Sequence, residues 1–428
     1  MKPIRIIFIL CITLLVSCNK SKPTTITKVA DYAQMIQQSP NHTTLYTDVE
    51  FWTAKINAAP NQFPFYVKRA GAFSKCFSTT GKIEDLINAE SDLVKANEMT
   101  SNNNAGILRA LAANYISQHR FKDALEALKR AEDNGKNLKA TKKMLFDAHL
   151  ELGNYKEAQH YLVSFKNTSD FDYLIRRSKW EDHKGNLDNA IWFMERALKI
   201  AESSNIDYTK QWAYTNLADF YGHAGRIKAS YELYLKALEI DPNDAYAKKG
   251  IAWILYSYEK NTEEALRIMN HITQYHNAPD NHLLISEIAE FKNDITLKDK
   301  ALETYKEATD NELYGVMYNA YNVLLYTEPP LITNDAIELA KTEVANRPTP
   351  ESYDLLAWSY FKAGRLDEAL DIVESKIEGF TYEPAILYHV AEIYKAVGKQ
   401  TEVDVIKEEL LASLYELGPT MEDKIKQL

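Results

Sequence analysis

The chain has 428 residues and a formal net charge of −10 at pH 7. An acidic chain without long basic runs argues against nucleic acid as a partner, because phosphate binding requires clustered lysine and arginine. A chain of this length exceeds what one globular core usually supports. Its 14 glycines are few for the tight turns that many short strands would require. Helix is therefore expected throughout, in several domains or in repeats.

The first twenty residues have the three parts of a secretory signal peptide. Lys2 and Arg5 precede an eleven-residue apolar run, Ile6–Val16, and the small Ser17 follows it before Cys18. The run is too short to span a bilayer core, which needs roughly 20 apolar residues. The sequence predicts that residues 1–17 are removed.

The four residues LVSC that end at Cys18 resemble the lipobox of bacterial lipoproteins. This resemblance implies cleavage before Cys18 and attachment of a diacylglyceryl group to its sulfur. Two or three acyl chains hold a protein stably at a membrane. The polar residues 18–27 are then a flexible tether. The alternative is an ordinary cleaved signal with an incidental cysteine.

Asn19 follows the predicted lipid-bearing cysteine, and no acidic cluster comes next. By similarity to lipoprotein sorting rules, this favours attachment to the outer membrane of a Gram-negative-type bacterium, facing the periplasm. Of the other cysteines, Cys11 leaves with the signal, and Cys76 lies in a helical pattern between Phe73 and Phe77. One remaining thiol cannot form an internal disulfide, so we interpret Cys76 as a small core residue.

A unit of two antiparallel helices is clearest at Gln211–Asp244. Apolar and small residues recur every three or four positions up to a turn at Gly225, and the pattern resumes until Asp241 and Pro242 stop it. Ala218 and the equivalent alanine of the second helix are placed for close helix approach. The pattern resembles the tetratricopeptide repeat, a 34-residue helix pair. The resemblance implies an all-α fold, a right-handed α-solenoid of stacked antiparallel helix pairs.

The same helix–turn–helix pattern can be followed toward both ends of the chain. Eight residues mark the turn within a unit: Gly81, His119, Gly153, Gly185, Gly225, Lys260, Gly364 and Gly398. Ten units begin near Val67, Ala105, Lys139, Phe171, Gln211, Tyr246, His282, Met317, Pro350 and Pro384. We expect a partial or irregular repeat at 28–66, the repeat array at 67–400, and a capping helix and tail at 401–428. A loop around ESSNIDY, 202–208, should project from the unit that begins at Phe171.

No catalytic grouping is recognisable along the chain. There is no zinc-binding His-Glu-x-x-His, no glycine-rich phosphate loop, no Gly-x-Ser-x-Gly elbow and no Cys-x-x-Cys. The sequence therefore predicts a protein that is not an enzyme and needs no cofactor or metal.

In a tetratricopeptide solenoid, the first helix of each unit lines the concave surface. The candidate binding residues on those helices are Arg109, Lys143, Arg176, Lys179, Trp212, Asn216, Asp219, Tyr318, Tyr321, Trp358 and Tyr388. They change from basic in the first half of the array to aromatic in the second. This division suggests that an extended peptide or acidic segment lies in the groove, with its anionic part toward the basic residues.

Two alternatives remain at this point. The candidate residues could be ordinary solvated positions, with a partner bound at an edge or on the convex side. The chain could also be a nutrient-binding lipoprotein, for a glycan or peptide, that serves an outer-membrane transporter. The interpretation that we favour is a membrane-anchored scaffold lipoprotein that mediates protein–protein interactions in the bacterial cell envelope.

Overall fold

The computed structural model describes residues 25–329 and 334–428. The predicted signal peptide, Cys18 and most of the tether lie outside the described residues. Within the described ranges the chain forms helices and no strand, so the all-α prediction is confirmed. Among the described residues, none of the helices is both long and apolar enough to cross a membrane.

Ten antiparallel helix pairs stack in chain order through the described ranges. The first five pairs are α4 Phe63–Thr80 with α5 Ile83–Met99, α6 Ala105–Ser117 with α7 Phe121–Asn134, α8 Leu138–Glu151 with α9 Tyr155–Ser164, α10 Phe171–His183 with α11 Leu187–Ser204, and α12 Asp207–His223 with α13 Ile227–Ile240. The other five are α14 Ala245–Trp253 with α15 Thr262–Ile272, α16 Asp280–Phe291 with α17 Ile295–Thr309, α18 Asn319–Tyr326 with α19 Asn334–Asn346, α20 Pro350–Lys362 with α21 Leu366–Ile372, and α22 Pro384–Ala396 with α23 Gln400–Ala412. Each pair begins within four residues of its predicted start.

Further helices flank the array within the described residues. Three precede it, α1 Val29–Ile36, α2 His42–Leu45 and α3 Thr47–Ala58, and two follow it, α24 Leu414–Leu417 and α25 Met421–Lys426. Helices α14 and α21 continue as π-helical turns at Ile254–Tyr258 and Val373–Ile377, and a 3₁₀ turn lies at Glu312–Tyr314.

All eight predicted turn residues have left-handed backbone, with φ between 58° and 80°. This conformation ends the first helix of each pair and redirects the chain into the second, which is why glycine holds most of these positions. Asn293 has φ 60° and occupies the equivalent turn after α16, where the sequence pattern had not marked a residue. The repeat phase is therefore confirmed by backbone geometry.

The residues expected to form a projecting loop, 202–208, are exposed but are helical except at Asn205 and Ile206. Helix α11 continues to Ser204, and α12 begins at Asp207. Asn205 has φ 56°, which lets α11 end sharply, so the additional residues lengthen the two helices. The prediction of a loop was wrong because the segment is helical on both sides of one left-handed residue.

Small residues allow close contact between helices. Ala218 and Ala237, on the two helices of one pair, are both fully buried. A Cβ atom at Gly250 would lie 2.3 Å from the ring of Tyr234, so α14 can approach α13 only with glycine there. Cys76 is fully buried, as the sequence indicated.

The solenoid winds tightly enough for successive superhelical turns to touch. The backbone N–H of Asn277 donates to the carbonyl of Thr80 at 2.6 Å, which joins α15–α16 to the turn after α4. Further along, Lys122 Nζ donates to the carbonyl of Ala345 at 2.6 Å, across 223 residues of sequence. The edge of one turn therefore packs against the next, and the inner surface is enclosed.

Both ends of the described chain pack against the middle of the array. The backbone N–H groups of Ile26 and Thr27 donate to Glu259 Oε1 at 2.7 and 2.6 Å. On the inner side, the carbonyl of Tyr415 accepts hydrogen bonds from Trp253 Nε1 at 3.1 Å and Ser257 Oγ at 2.6 Å. The C-terminal helices thus line the enclosed surface as well as cap the array.

Candidate partner-binding surface

Lys143, the most buried of the predicted basic groove residues, joins two repeats. It lies on α8 and is 9% exposed. Its Nζ is 3.1 Å from Asp170 Oδ1 and 2.6 Å from Asp172 Oδ2, at the start of α10 in the next pair. Lysines 139 and 143 both donate to Asp170, and with the N–H of Tyr173 they lower its pKa to about 2 against the effect of burial.

The next two basic residues of the inner surface are also paired across repeats. Arg176 Nη2 is 2.6 Å from Asp147 Oδ2, and its Nε donates to the carbonyl of Lys143 at 2.9 Å. Lys179 Nζ lies 2.7 Å from Glu151 Oε1. Arg176 and Lys179 of α10 thus each meet a carboxylate of α8.

Arg109 is also hydrogen-bonded to the protein itself. Its Nη1 donates to the carbonyl of Lys136 and to Thr141 Oγ1, both at 3.0 Å. Partial burial lowers its pKa. The structure corrects the prediction of a basic first half: the charges of Lys143, Arg176 and Lys179 are offset by neighbouring carboxylates. Their use in partner binding stays a prediction.

Three adjoining pockets form what we call the central cavity. Their volumes are about 890, 320 and 620 Å³, and Tyr208 lines all three. Trp212 and Asn216 line two of them, on the α12 face that sequence analysis selected. Tyr208 is 76% exposed and Tyr246 is 57% exposed, so aromatic surface is offered inside a concave space. Neither tyrosine was among the residues predicted from the inner-face pattern, because both lie at helix starts.

Asp219 has a positioning role in this cavity. Its carboxylate accepts hydrogen bonds from the hydroxyls of Tyr234 and Tyr246, the latter at 2.7 Å. Burial raises the pKa of Asp219, while the two hydroxyls lower it. The residue predicted to meet a ligand therefore holds Tyr246 at the cavity wall.

A second space, which we call the aromatic pocket, lies further along the array and measures about 540 Å³. Tyr321, Trp358 and Tyr388 line it, as predicted. Trp253 also lines it, and so do four residues of the C-terminal segment, namely Glu416, Leu417, Met421 and Lys424. The sequence had assigned that segment only a capping role, so the pocket's closing wall was missed.

Tyr318 belongs to the core and not to the pocket. It is 9% exposed and packs edge-on against Tyr305 and Tyr314, with ring centroids 6.0 and 5.1 Å away. Its hydroxyl donates to Asp280 at 3.3 Å. Its prediction as a surface residue was wrong, because the first residues of this unit are 3₁₀ and turn structure and the inner-face register shifts.

His389, which is paired with Asp354, lines the aromatic pocket beside Trp358. His389 Nδ1 lies 2.8 Å from Oδ2 of the buried Asp354, and the imidazole stacks on Trp358 with centroids 4.0 Å apart and planes at 16°. Lys362 lies over the Trp358 ring with Nζ 5.1 Å from its centroid. The indole is therefore held rigidly in the wall.

A carboxyl group of the aromatic pocket has a raised pKa. Burial raises the pKa of Glu287 to about 7, although the Tyr256 hydroxyl donates to it at 2.9 Å. Among the described residues, no three His, Cys, Asp or Glu side chains are arranged to hold a metal ion.

Residues 213–244 match the family model of the tetratricopeptide repeat. No curated protein matches the chain. Among solved structures, the human IFIT1 dimer with PPP-AAAA is 17% identical over 73% of this chain and 71% of that chain, with TM-score 0.46. A tetratricopeptide repeat protein from Parabacteroides merdae is 16% identical over 59% and 95%, with TM-score 0.38. YrrB, titled a tetratricopeptide protein with an unusual peptide-binding site, is 20% identical over 46% and 96%, with TM-score 0.28. The chain is an all-α solenoid that contains a tetratricopeptide repeat, formed by α12 and α13.

Proposed function

We propose that this protein is a membrane-anchored scaffold lipoprotein of the bacterial cell envelope, without enzymatic activity, that holds a segment of a partner protein in its central cavity. The observation that carries the proposal is the exposed aromatic surface of Tyr208 and Tyr246 inside that cavity. Monomeric proteins seldom leave such surface in a concave space unless it binds something, and tyrosine and tryptophan are typical interface anchors.

The fixed geometry of the cavity walls supports this function. Asp219 positions Tyr246 through its hydroxyl, and Gln211 Nε2 donates to Asp244 Oδ2 at 2.8 Å beside it. Side chains that are already held in place lose little conformational entropy when a ligand arrives. A segment that enters the cavity would therefore meet a prearranged surface.

Photo-crosslinking in the native envelope tests the scaffold role. A photoreactive phenylalanine analogue replaces Tyr208 in one variant and Trp192 in the control. Trp192 is a matched choice because it is a 48% exposed aromatic residue on α11, a second helix of its pair. We expect a discrete protein adduct from position 208 and none from position 192. Equal adducts from both positions, or none from 208, would overturn the proposal.

Anchoring is proposed from the lipobox resemblance and from where the described chain begins. Thr27 is hydrogen-bonded to Glu259, and Thr27 lies nine residues after Cys18 in the sequence. Nine residues span at most roughly 32 Å when extended. A lipid on Cys18 would therefore keep the middle of the array within that distance of the membrane, proposed here to be the outer membrane on its periplasmic side.

Fractionation of a Cys18→Ala variant tests the anchor. We expect the variant to leave the membrane fraction as a folded protein with an unchanged helical circular dichroism spectrum. A variant that remained with the outer membrane would contradict lipid anchoring through Cys18.

A second candidate function is binding of a nutrient glycan or peptide for an outer-membrane transporter. The observation that favours it is the polar edge of the central cavity, where Gln211 and Asn216 lie beside Trp212. Calorimetry with purified protein and a panel of glycans and short peptides separates the two functions. Saturable binding of a glycan without any partner protein would favour this candidate over the scaffold.

A further inference from the structure

The aromatic pocket has an acidic rim. Glu328 and Glu416 line it together with one lysine, Lys424, and with the buried Glu287, which is only partly ionised near pH 7. The imidazole of His223 lies near Glu416, with Nδ1 3.8 Å from Oε2. Carboxylates of one sign around an apolar space attract a partner of the opposite sign and suppress partners of the same sign.

The floor and walls of this pocket are apolar and rigid. Leu324, Leu325 and Leu417 line it beside the aromatic rings. Trp253 is fixed by its hydrogen bond to the carbonyl of Tyr415, so the C-terminal segment and the array hold the pocket open together. Burial of a partner's apolar side chain in such a space is favourable, because apolar surface is removed from water.

Tyr321 offers the most accessible ring of the pocket. It is 44% exposed, whereas Trp358 is 6% exposed and has His389 and Lys362 over its ring. A lysine or arginine side chain could lie against the Tyr321 face while its charge meets the carboxylate rim. Cation–π contacts of this kind are attractive, and they are stronger when the charge is desolvated.

We propose that the aromatic pocket docks a partner segment in which lysine or arginine lies next to apolar side chains. The inference rests on the proposed scaffold function and names the chemistry of the partner. It reverses the expectation of an acidic segment, because Lys143, Arg176 and Lys179 are already paired with carboxylates whereas the carboxylates around this pocket outnumber its one lysine.

Three fluorescent synthetic peptides of equal length are the probes for this proposal. They share leucine and tyrosine at the same positions and carry lysine, glutamate or serine at all others. We expect saturable binding of the lysine peptide to the full mature chain, and at least tenfold weaker binding of the other two. Equal affinity for the serine peptide would show that charge has no role, and a preference for the glutamate peptide would overturn the proposal.

A double variant, Tyr321→Ala with Glu328→Lys, places the binding in the pocket. The matched control is Trp192→Ala with Glu232→Lys, which makes the same chemical changes on α11 and α13 at exposed positions. We expect the pocket variant to lose at least tenfold in affinity for the lysine peptide and the control to lose less than twofold. Equal losses would mean non-specific attraction to an acidic chain, and the proposal would be wrong.

The two proposals fail separately. If photo-crosslinking at position 208 captures a partner but the pocket variant binds the lysine peptide as tightly as the unchanged chain does, only the inferred docking chemistry is wrong. If the lysine peptide binds the pocket but no envelope protein is captured at position 208, the scaffold role of the central cavity is wrong. Circular dichroism of each variant establishes that it is folded before either comparison is made.

Discussion

The inner surface of α8 and α10 differs from the aromatic pocket in how its charges are used. Along α8 and α10, Lys143, Arg176 and Lys179 each meet a carboxylate of the neighbouring pair. The aromatic pocket is lined by more carboxyl groups, Glu287 and Glu328 among them, than basic side chains. Charged inner-face residues therefore stabilise the solenoid in one region and remain available to a partner in the other.

The largest expected effect is on the first of these regions. Lys143→Met leaves Asp170 without its most buried cation, so we expect a loss of about 2–3 kcal/mol in the free energy of unfolding. Lys139→Met is the matched control, because Lys139 is 2.7 Å from the same carboxylate but is half exposed, and a loss below about 1 kcal/mol is expected. Urea denaturation measures both. Equal losses would contradict the structural role of Lys143.

The next prediction concerns pH and the pocket carboxylate Glu287, whose pKa is raised from 4.5 to about 7 by burial. The folded chain then binds more protons than the unfolded chain between these values, so stability falls as pH rises through this range. Glu287→Gln should remove a loss on the order of 2 kcal/mol between pH 5 and pH 8. Thermal unfolding of both proteins across that range measures it, and parallel pH profiles would contradict the prediction.

A smaller effect is expected where the two superhelical turns meet. Arg347 is 3.4 Å from Glu151 and lies over the Phe121 ring at 5.2 Å, so Arg347→Ala should cost about 1 kcal/mol and speed amide exchange at the start of α7. Arg196→Ala is the control, since its ring contact with Trp192 involves one helix only. If the control variant also speeds amide exchange in α7, the effect of Arg347→Ala cannot be attributed to contact between superhelical turns.

The smallest effect on stability is expected at the binding surface itself. Tyr321→Ala removes a ring that is 44% exposed, and we expect a change below about 0.5 kcal/mol. The same variant should still weaken binding of the lysine peptide. A stability loss comparable to that of Lys143→Met would show that Tyr321 supports the fold, and the contrast between the two regions would no longer hold.

The repeat phase could be predicted from sequence because it is local. A left-handed turn residue followed by an alanine in the second helix is visible within one unit, and the eight marked turns all have positive φ. Ala218 and Ala237 were recognised for the same reason, since helix contact within a pair requires small residues.

The use of the inner surface could not be predicted in the same way. The carboxylates that pair with Lys143 and Arg176 come from neighbouring repeats, so a list of inner positions shows the cations without their partners. Tyr415 lies beside Trp253 only because small rotations between repeats accumulate over a full superhelical turn. The accumulated rotation cannot be predicted from the sequence of any single repeat.

The contact between successive turns has a consequence for how the protein reaches its folded state. In an open solenoid each repeat meets only its neighbours, and stability grows by similar increments along the chain. Here Lys28 meets Tyr231 across 203 residues, and Arg347 meets Glu151 across 196. Such pairings slow folding, because loop closure precedes the gain from contact. The N-terminal segment can therefore dock only after the middle of the array has folded. The cooperative folding unit is then a superhelical turn of several repeats.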